Sequence, residues 1–308
     1  MKVLVVGAGA LGGYFGGRLL EIGRDVTFLV RPRRAEQLRA NGLVAKSPKG
    51  DFRIANPSYL LASELAGKSF DLILLSNKAY NLDAAMNDFS PAVGAGTAIL
   101  PLLNGMRHLD VMDARFGAAH VLGGRCNIAA TLDADGTVRH LSDFHDIIYG
   151  ERDGTRSPRI AAIEALMTGA NYNARASDVI LQEMWEKWVM LGTLAASNCL
   201  FRGSVGDIIA GGGGEAVMAM LAESIAIATR AGHPPRPPAE AAVRANLSKA
   251  GSPFSASMLR DLDQGCRVEA DHVVGDLIAR AGDLPVPMLR LAYAVLKTYE
   301  ARKLREAK

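Results

Sequence analysis

The feature that most constrains this chain is its beginning. An apolar run, Lys2 to Val6, enters Gly7-Ala8-Gly9-Ala10-Leu11-Gly12 and leaves as a helical pattern through Tyr14, Phe15, Leu19 and Leu20. In a strand–turn–helix unit of this kind the first glycine turns the chain. The second lets a backbone approach a diphosphate, and the third lets helix and strand pack closely. The GxGxxG spacing is a weak signal by itself in a chain with 32 glycines; its place between strand and helix gives it weight. Further short β-branched runs at 26–30, 71–76 and 97–103 alternate with amphipathic segments. That alternation predicts a parallel sheet covered by helices.

Two places depart from the alternation. GLVAKSP and DFRIANP flank Lys49-Gly50, and DADG occupies 133–136; both read as hairpins forming an antiparallel or mixed edge of the same sheet. From Ser177 onward helical periodicity takes over, with Asp178 as an N-cap for an apolar helix containing Met184, Trp185, Trp188, Val189 and Leu191. The expected architecture is an α/β Rossmann-type domain over residues 1–173 followed by an all-α domain over residues 174–308. The breaks at Gly211–Gly214 and at HPPRPP (233–238) interrupt helices and start no further domain.

Charge and cysteine content narrow the partners. The charged residues nearly cancel to a net +3 with no long run of one sign, which argues against a nucleic-acid or membrane surface as main partner. MKVLVVGAGALGGYF is apolar like a signal h-region, but it is broken by glycines and no cleavage-type polar region follows. No stretch approaches the roughly 20 apolar residues that span a bilayer, so a cytoplasmic protein is expected. Cys126, Cys199 and Cys266 read as reduced, buried thiols. The histidines form no metal set; His140 and His145, with Asp143 between them, read as surface residues of a hairpin, and no metal is expected.

Chemistry-bearing residues fall at the carboxyl ends of the strands, where ligands of such sheets lie. The second strand lacks the acidic residue that accepts from a ribose 2′-hydroxyl; Val30 is followed by Arg31-Pro32-Arg33-Arg34. Guanidinium groups there favour a 2′-phosphate, and hence NADPH, with Arg31 the leading candidate. Lys78, in Ser76-Asn77-Lys78, and Asn104, in Leu103-Asn104-Gly105-Met106, are delivered by the next apolar strands. As a surface lysine and a turn asparagine they would be unremarkable. In the helical half, Lys187 sits among Trp185, Trp188 and Val189, where a lysine either snorkels or works. Ser257 and Glu269 lie in SASMLRDLDQGCRVEAD. As one helix this segment would hold them roughly 18 Å apart, and a break would bring them closer.

GAGALG, LLSNKA, LLNGM, a WEK helix and SASML with a following glutamate, in this order along essentially the whole chain, resemble the ketopantoate reductase (2-dehydropantoate 2-reductase) family. The resemblance implies NADPH-dependent reduction of a 2-oxo acid to the 2-hydroxy acid in pantothenate biosynthesis, with a small-molecule substrate held in the cleft and a homodimer admissible. It implies Lys187 as catalytic lysine, Glu269 as substrate-binding glutamate, Ser257 as the serine of the SSML motif, Asn104 as active-site asparagine and Lys78 as the lysine near the cofactor. Gly7, Ala8, Gly9, Ala10, Leu11, Gly12 and Arg31, with Lys78 and Asn104, would bind the cofactor. The chain departs from the family pattern where asparagines follow the lysine by four and eight residues: here stand Leu191 and Ala195. That puts ketopantoate itself in question and points to a less polar 2-oxo acid or ketone. A 3-hydroxyacid or opine-type dehydrogenase would share the general architecture, though SASML and Glu269 argue against it. A non-catalytic NADPH-binding protein is the remaining alternative.

Overall fold

The computed structural model describes residues 1–306, which form two compact units, Met1–Leu103 with His108–Ile180, and Asn104–Arg107 with Leu181 onward. The chain passes into the helical unit after Ile180, not after 173. The reason is that residues 173–176 form a strand of the first unit, Asn173↔Asp146 through Ala176↔Tyr149.

The first unit is Rossmann-like. Strands β1 (Lys2–Val6), β2 (Asp25–Leu29), β5 (Tyr59–Leu60), β6 (Leu72–Leu75) and β7 (Ala98–Pro101) make a sheet in the order β5-β2-β1-β6-β7. Every pairing in it is parallel. The chain builds outward from β1 in both directions, so the carboxyl end of β1 is the point where strand order reverses and ligands of such sheets bind. The strand interiors are almost wholly apolar and buried, as a sheet covered on both faces requires.

The two hairpins do not edge this sheet. β3 (Leu43–Lys46) and β4 (Phe52–Ile54) pair antiparallel, as do β8 (Gly123–Leu132) and β9 (Val138–Gly150), and with β10 (Asn173–Ala176) they form a second, mixed sheet. Helix α1 (Ala10–Glu21) packs against both sheets. Its glycines explain how: a Cβ at Gly16 would lie 2.7 Å from the Phe28 ring of β2, and one at Gly17 would lie 2.3 Å from the Phe52 ring of β4. The second sheet covers the face that an ordinary surface helix leaves to water, and the charged residue buried there, Arg18, donates to the Gly50 carbonyl and to Glu21.

In the second unit α6 (Ile180–Phe201) is followed by α7 (Val205–Ala210), α8 (Gly214–Arg230), α9 (Pro237–Leu247), α10 (Ser257–Asp263), α11 (Asp276–Ala281) and α12 (Pro287–Glu306). The buried Thr193 hydroxyl of α6 donates to Ser224 of α8 at 3.0 Å. The Arg236 guanidinium, at the N-cap of α9, grips Glu186 of α6 with two bonds of 2.7 and 2.6 Å. No helix among the described residues is long and apolar enough to cross a membrane.

Of the two arrangements open for residues 257–269 the broken helix holds: α10 stops at Asp263, and Gly265 turns the chain with φ +70°. Two further expectations are corrected. His140 and His145 are buried, because β9 is pressed onto α1: Tyr14 Oη meets His145 Nδ1 at 2.7 Å, and the two imidazoles stack 5.3 Å apart. Cys266 is exposed, while Cys126 and Cys199 are buried and burial pushes the Cys199 thiol up to about 12.

Candidate active site

Each unit carries its own constellation. In the first, Gly7 follows β1 with φ +92°, a conformation that favours glycine, and a Cβ at Gly7 or Gly9 would meet nothing within 4 Å. That open space is what a diphosphate on the N-terminus of α1 needs. Gly12 is different: a Cβ there would lie 2.1 Å from the Gly7 carbonyl and 2.4 Å from Ser76 Oγ, so its role is close packing.

Two buried polar atoms border this turn without a partner, Arg34 Nη2 and Asn77 Oδ1. Arg34 donates from Nε to the Ala8 carbonyl at 2.8 Å and from Nη1 to the Gly136 carbonyl at 2.9 Å, bracing the glycine turn, while burial lowers its pKa. Arg31 caps α2 (Pro32–Asn41) from an exposed position, with Arg33 exposed beside it. Lys78 lies beyond β6 and is half-buried; its carbonyl accepts from Asn77 Nδ2 at 2.8 Å. Donors of positive charge, an open glycine turn, an orphan donor and an orphan acceptor together fit a phosphorylated dinucleotide. The sequence placed Arg34 among the three arginines after β2 and Asn77 in Ser76-Asn77-Lys78; only the packed turn shows which of their atoms remain unpaired.

The second unit brings Lys187 and Asn104 together, with Lys187 Nζ donating to Asn104 Oδ1 at 3.2 Å. Both are half-buried. Lys187 projects from α6, which the Arg236–Glu186 pair anchors one residue away; burial opposes ionisation of Glu186, but the Arg236 bonds and charge outweigh it and hold that carboxyl below its ordinary range. Asn104 belongs to a turn clasped by the helical unit. A Cβ at Gly105 would lie 2.9 Å from the His272 carbonyl oxygen and 3.5 Å from Trp188 Nε1, and Trp188 Nε1 donates to the Val273 carbonyl at 2.9 Å.

Glu269 is buried at the entrance to the helical segment that carries Asp271–Gly275 as one π-helical turn, a local geometry frequent at functional sites. Its charge acts on buried His272, whose ring donates to the Asn104 backbone carbonyl. Asn104, Lys187, His272 and Glu269 are thereby linked. Ser257 stands apart in the bonding pattern. It opens α10, just after Ala256, whose backbone N–H donates to buried Asn198 Oδ1 at 2.8 Å. Leu191 is half-buried and Ala195 is 1% exposed, so of the two departures from the asparagine pattern only Leu191 presents surface.

The family model described as ketopantoate reductase PanE/ApbA matches residues 3–154, and its C-terminal counterpart matches residues 179–300. An uncharacterized oxidoreductase, YkpB, of Bacillus subtilis (strain 168) is 38% identical over 98% of this chain and 100% of its own length. A 2-dehydropantoate 2-reductase of Mesorhizobium japonicum is 27% identical over 96% of this chain and 97% of its own. The crystal structure of a 2-dehydropantoate 2-reductase from Geobacter metallireducens superposes with a TM-score of 0.87 at 27% identity, covering 97% of this chain and 99% of that one. The fold and site thus define a two-domain oxidoreductase. The chain belongs to the ketopantoate reductase PanE/ApbA family.

Proposed function

We propose that the protein reduces a 2-oxo acid to the corresponding 2-hydroxy acid with NADPH, and prefers a substrate less polar than ketopantoate. The observation that carries this reading is the Lys187 Nζ–Asn104 Oδ1 hydrogen bond in a chain of this family.

NADPH, when bound, supplies a hydride. Gly7, Gly9 and the N-terminus of α1 are the residues to hold its diphosphate, Arg31 with Arg33 the 2′-phosphate, and Asn77 and Lys78 the portion nearest β6. Lys187 Nζ donates a hydrogen bond to the substrate carbonyl oxygen and then its proton, neutralising the charge that develops there as the carbon is reduced. Asn104 Oδ1 accepts from Lys187 Nζ and so fixes the direction in which the ammonium points. Glu269 accepts from a hydroxyl where the substrate carries one, as ketopantoate does, and Ser257 donates to the substrate carboxylate. The balance is one hydride to carbon and one proton to oxygen, with the lysine reprotonated from solvent. Leu191 supports the preference for a less polar substrate, because an alkyl side chain offers no hydrogen bond where the family pattern has an amide.

The test follows NADPH absorbance in the presence of ketopantoate and a series of branched and aromatic 2-oxo acids, with NADH in parallel. The expected result is saturable oxidation, faster with NADPH, and a higher kcat/KM for the less polar acids. No oxidation dependent on any 2-oxo acid would refute the reading and leave a ketone reductase, an opine- or 3-hydroxyacid-type dehydrogenase, or a non-catalytic nucleotide-binding protein.

A further inference from the structure

Building on the reading above, we propose that His272 is a positioning residue for the reaction, holding the Asn104 turn so that Asn104 Oδ1 meets Lys187 Nζ. The proposal rests on how tightly that turn is clasped. The His272 ring donates to the Asn104 carbonyl. The His272 carbonyl oxygen lies where a Cβ at Gly105 would stand 2.9 Å away, and the ring Cδ2 would lie 3.4 Å from the same Cβ. Gly105 has φ +77°, so the turn needs glycine twice, for its backbone conformation and for the closeness of His272. The side chain of the residue before it is the one that meets the lysine at 3.2 Å.

The π-helical turn Asp271–Gly275 makes this grip available. Widening the helix by one residue changes which carbonyls are used internally, and the Val273 carbonyl accepts from Trp188 Nε1 at 2.9 Å. Trp188 follows Lys187 directly on α6. His272 and Val273 therefore hold, respectively, the asparagine turn and the residue next to the lysine, and fix the two partners relative to one another. The turn itself is secured from α12, where Tyr293 Oη donates to Asp271 Oδ1 at 2.6 Å and Lys297 Nζ to the same oxygen at 3.0 Å.

A neutral imidazole suits this task. Burial lowers the pKa of His272, against the raising effect of the Glu269 and Asp276 carboxylates and of the bond to Asn104, while Arg107 lowers it further. The ring thus serves as an uncharged N–H donor to the asparagine turn. It adds no second positive charge where Lys187 must act.

The experiment compares His272→Phe, which keeps the bulk and removes the donor, with His272→Gln, which keeps an N–H donor. Each is assayed for kcat, KM, NADPH dissociation constant and melting temperature, and the Asn104 side-chain amide resonance is recorded on ¹⁵N-labelled protein. The expected result for His272→Phe is a loss in kcat of about 10-fold or more. KM and the NADPH constant should stay within about threefold, the Asn104 resonance should move, and His272→Gln should recover most of the rate. Unchanged kcat in His272→Phe overturns the proposal, as does an equal loss in both variants that tracks a lowered melting temperature. If the unmodified protein turns over no 2-oxo acid, it is the functional reading that falls; an Asn104 resonance unmoved in His272→Phe then overturns the positioning claim on its own.

Discussion

At the scale of single residues, the chain places few groups where chemistry is possible and braces each of them. Arg31 and Arg34 illustrate the division of labour in one short segment. Arg34 spends two of its nitrogens on the Ala8 and Gly136 carbonyls, whereas Arg31 stands exposed at the cap of α2. Arg31→Asp replaces a phosphate partner with a hydroxyl acceptor, and the ratio of NADPH to NADH dissociation constants should move toward NADH by roughly 10-fold or more. An unchanged ratio assigns the 2′-phosphate to Arg33 or to the orphan Nη2 of Arg34. Asn198 shows bracing of another kind. Its amide satisfies both the Ala256 N–H and, from Nδ2 at 2.8 Å, the Gly203 carbonyl. Asn198→Ala leaves the buried Ala256 N–H and the partly buried Gly203 carbonyl unpaired, and denaturant unfolding should show a loss of about 1–3 kcal/mol. A loss below about 0.5 kcal/mol would mean that the segment leading to Ser257 is held by its apolar packing.

At the scale of elements, the glycine turn, the parallel strands and α6 were legible because each depends on local pattern: apolar runs of strand length, a turn that only glycine allows, and helical spacing of apolar residues. Lys187 was legible as an unusual polar residue on an apolar helix, whereas Asn104, unremarkable as a turn asparagine, was singled out by the resemblance to the family. The errors at the hairpins and at His140 and His145 share one cause, the packing of elements distant in sequence. His140 and His145 look like hairpin surface until α1 is laid on β9. His272 looks idle until the turn at Asn104 meets the segment after α10, 168 residues further on in sequence. The burial of the two stacked histidines has a consequence for stability. Burial is the main cause that lowers both pKa values, and each is lowered further by Arg18 and Lys49, with His140 also acting on His145. The ordinary value is about 6.5, so below that pH the unfolded chain binds protons that the folded chain refuses. Their contribution to stability is therefore complete above about pH 6.5 and is lost as pH falls toward the lowered folded values, at up to about 1.4 kcal/mol per pH unit for each ring. Melting curves between pH 7.5 and 5.5 should slope downward on acidification. The slope should flatten in His140→Gln with His145→Gln; an identical slope in that variant would assign the acid sensitivity elsewhere, with His233 and His272, whose pKa values are also lowered mainly by burial, the next groups to vary.

At the scale of the whole molecule, the glycine turn lies in one unit and the Lys187–Asn104 pair in the other. Cofactor binding should consequently stabilise the first unit by mass action. At free NADPH near 100 times its dissociation constant the gain is about 2.7 kcal/mol, several degrees in melting temperature, and NADH at the same concentration should give less. Equal shifts with the two nucleotides would contradict the reading of Arg31-Pro32-Arg33-Arg34. The division also means that binding and chemistry can be separated by one substitution. The most direct test is the turnover of Lys187→Ala on whichever 2-oxo acid the unmodified protein reduces best, with the NADPH dissociation constant measured on the same preparation. If Lys187 is the proton donor, kcat falls by roughly 100-fold or more while NADPH affinity stays near that of the unmodified protein. A kcat within a few-fold of the unmodified enzyme would make Lys187 a structural lysine and contradict the account.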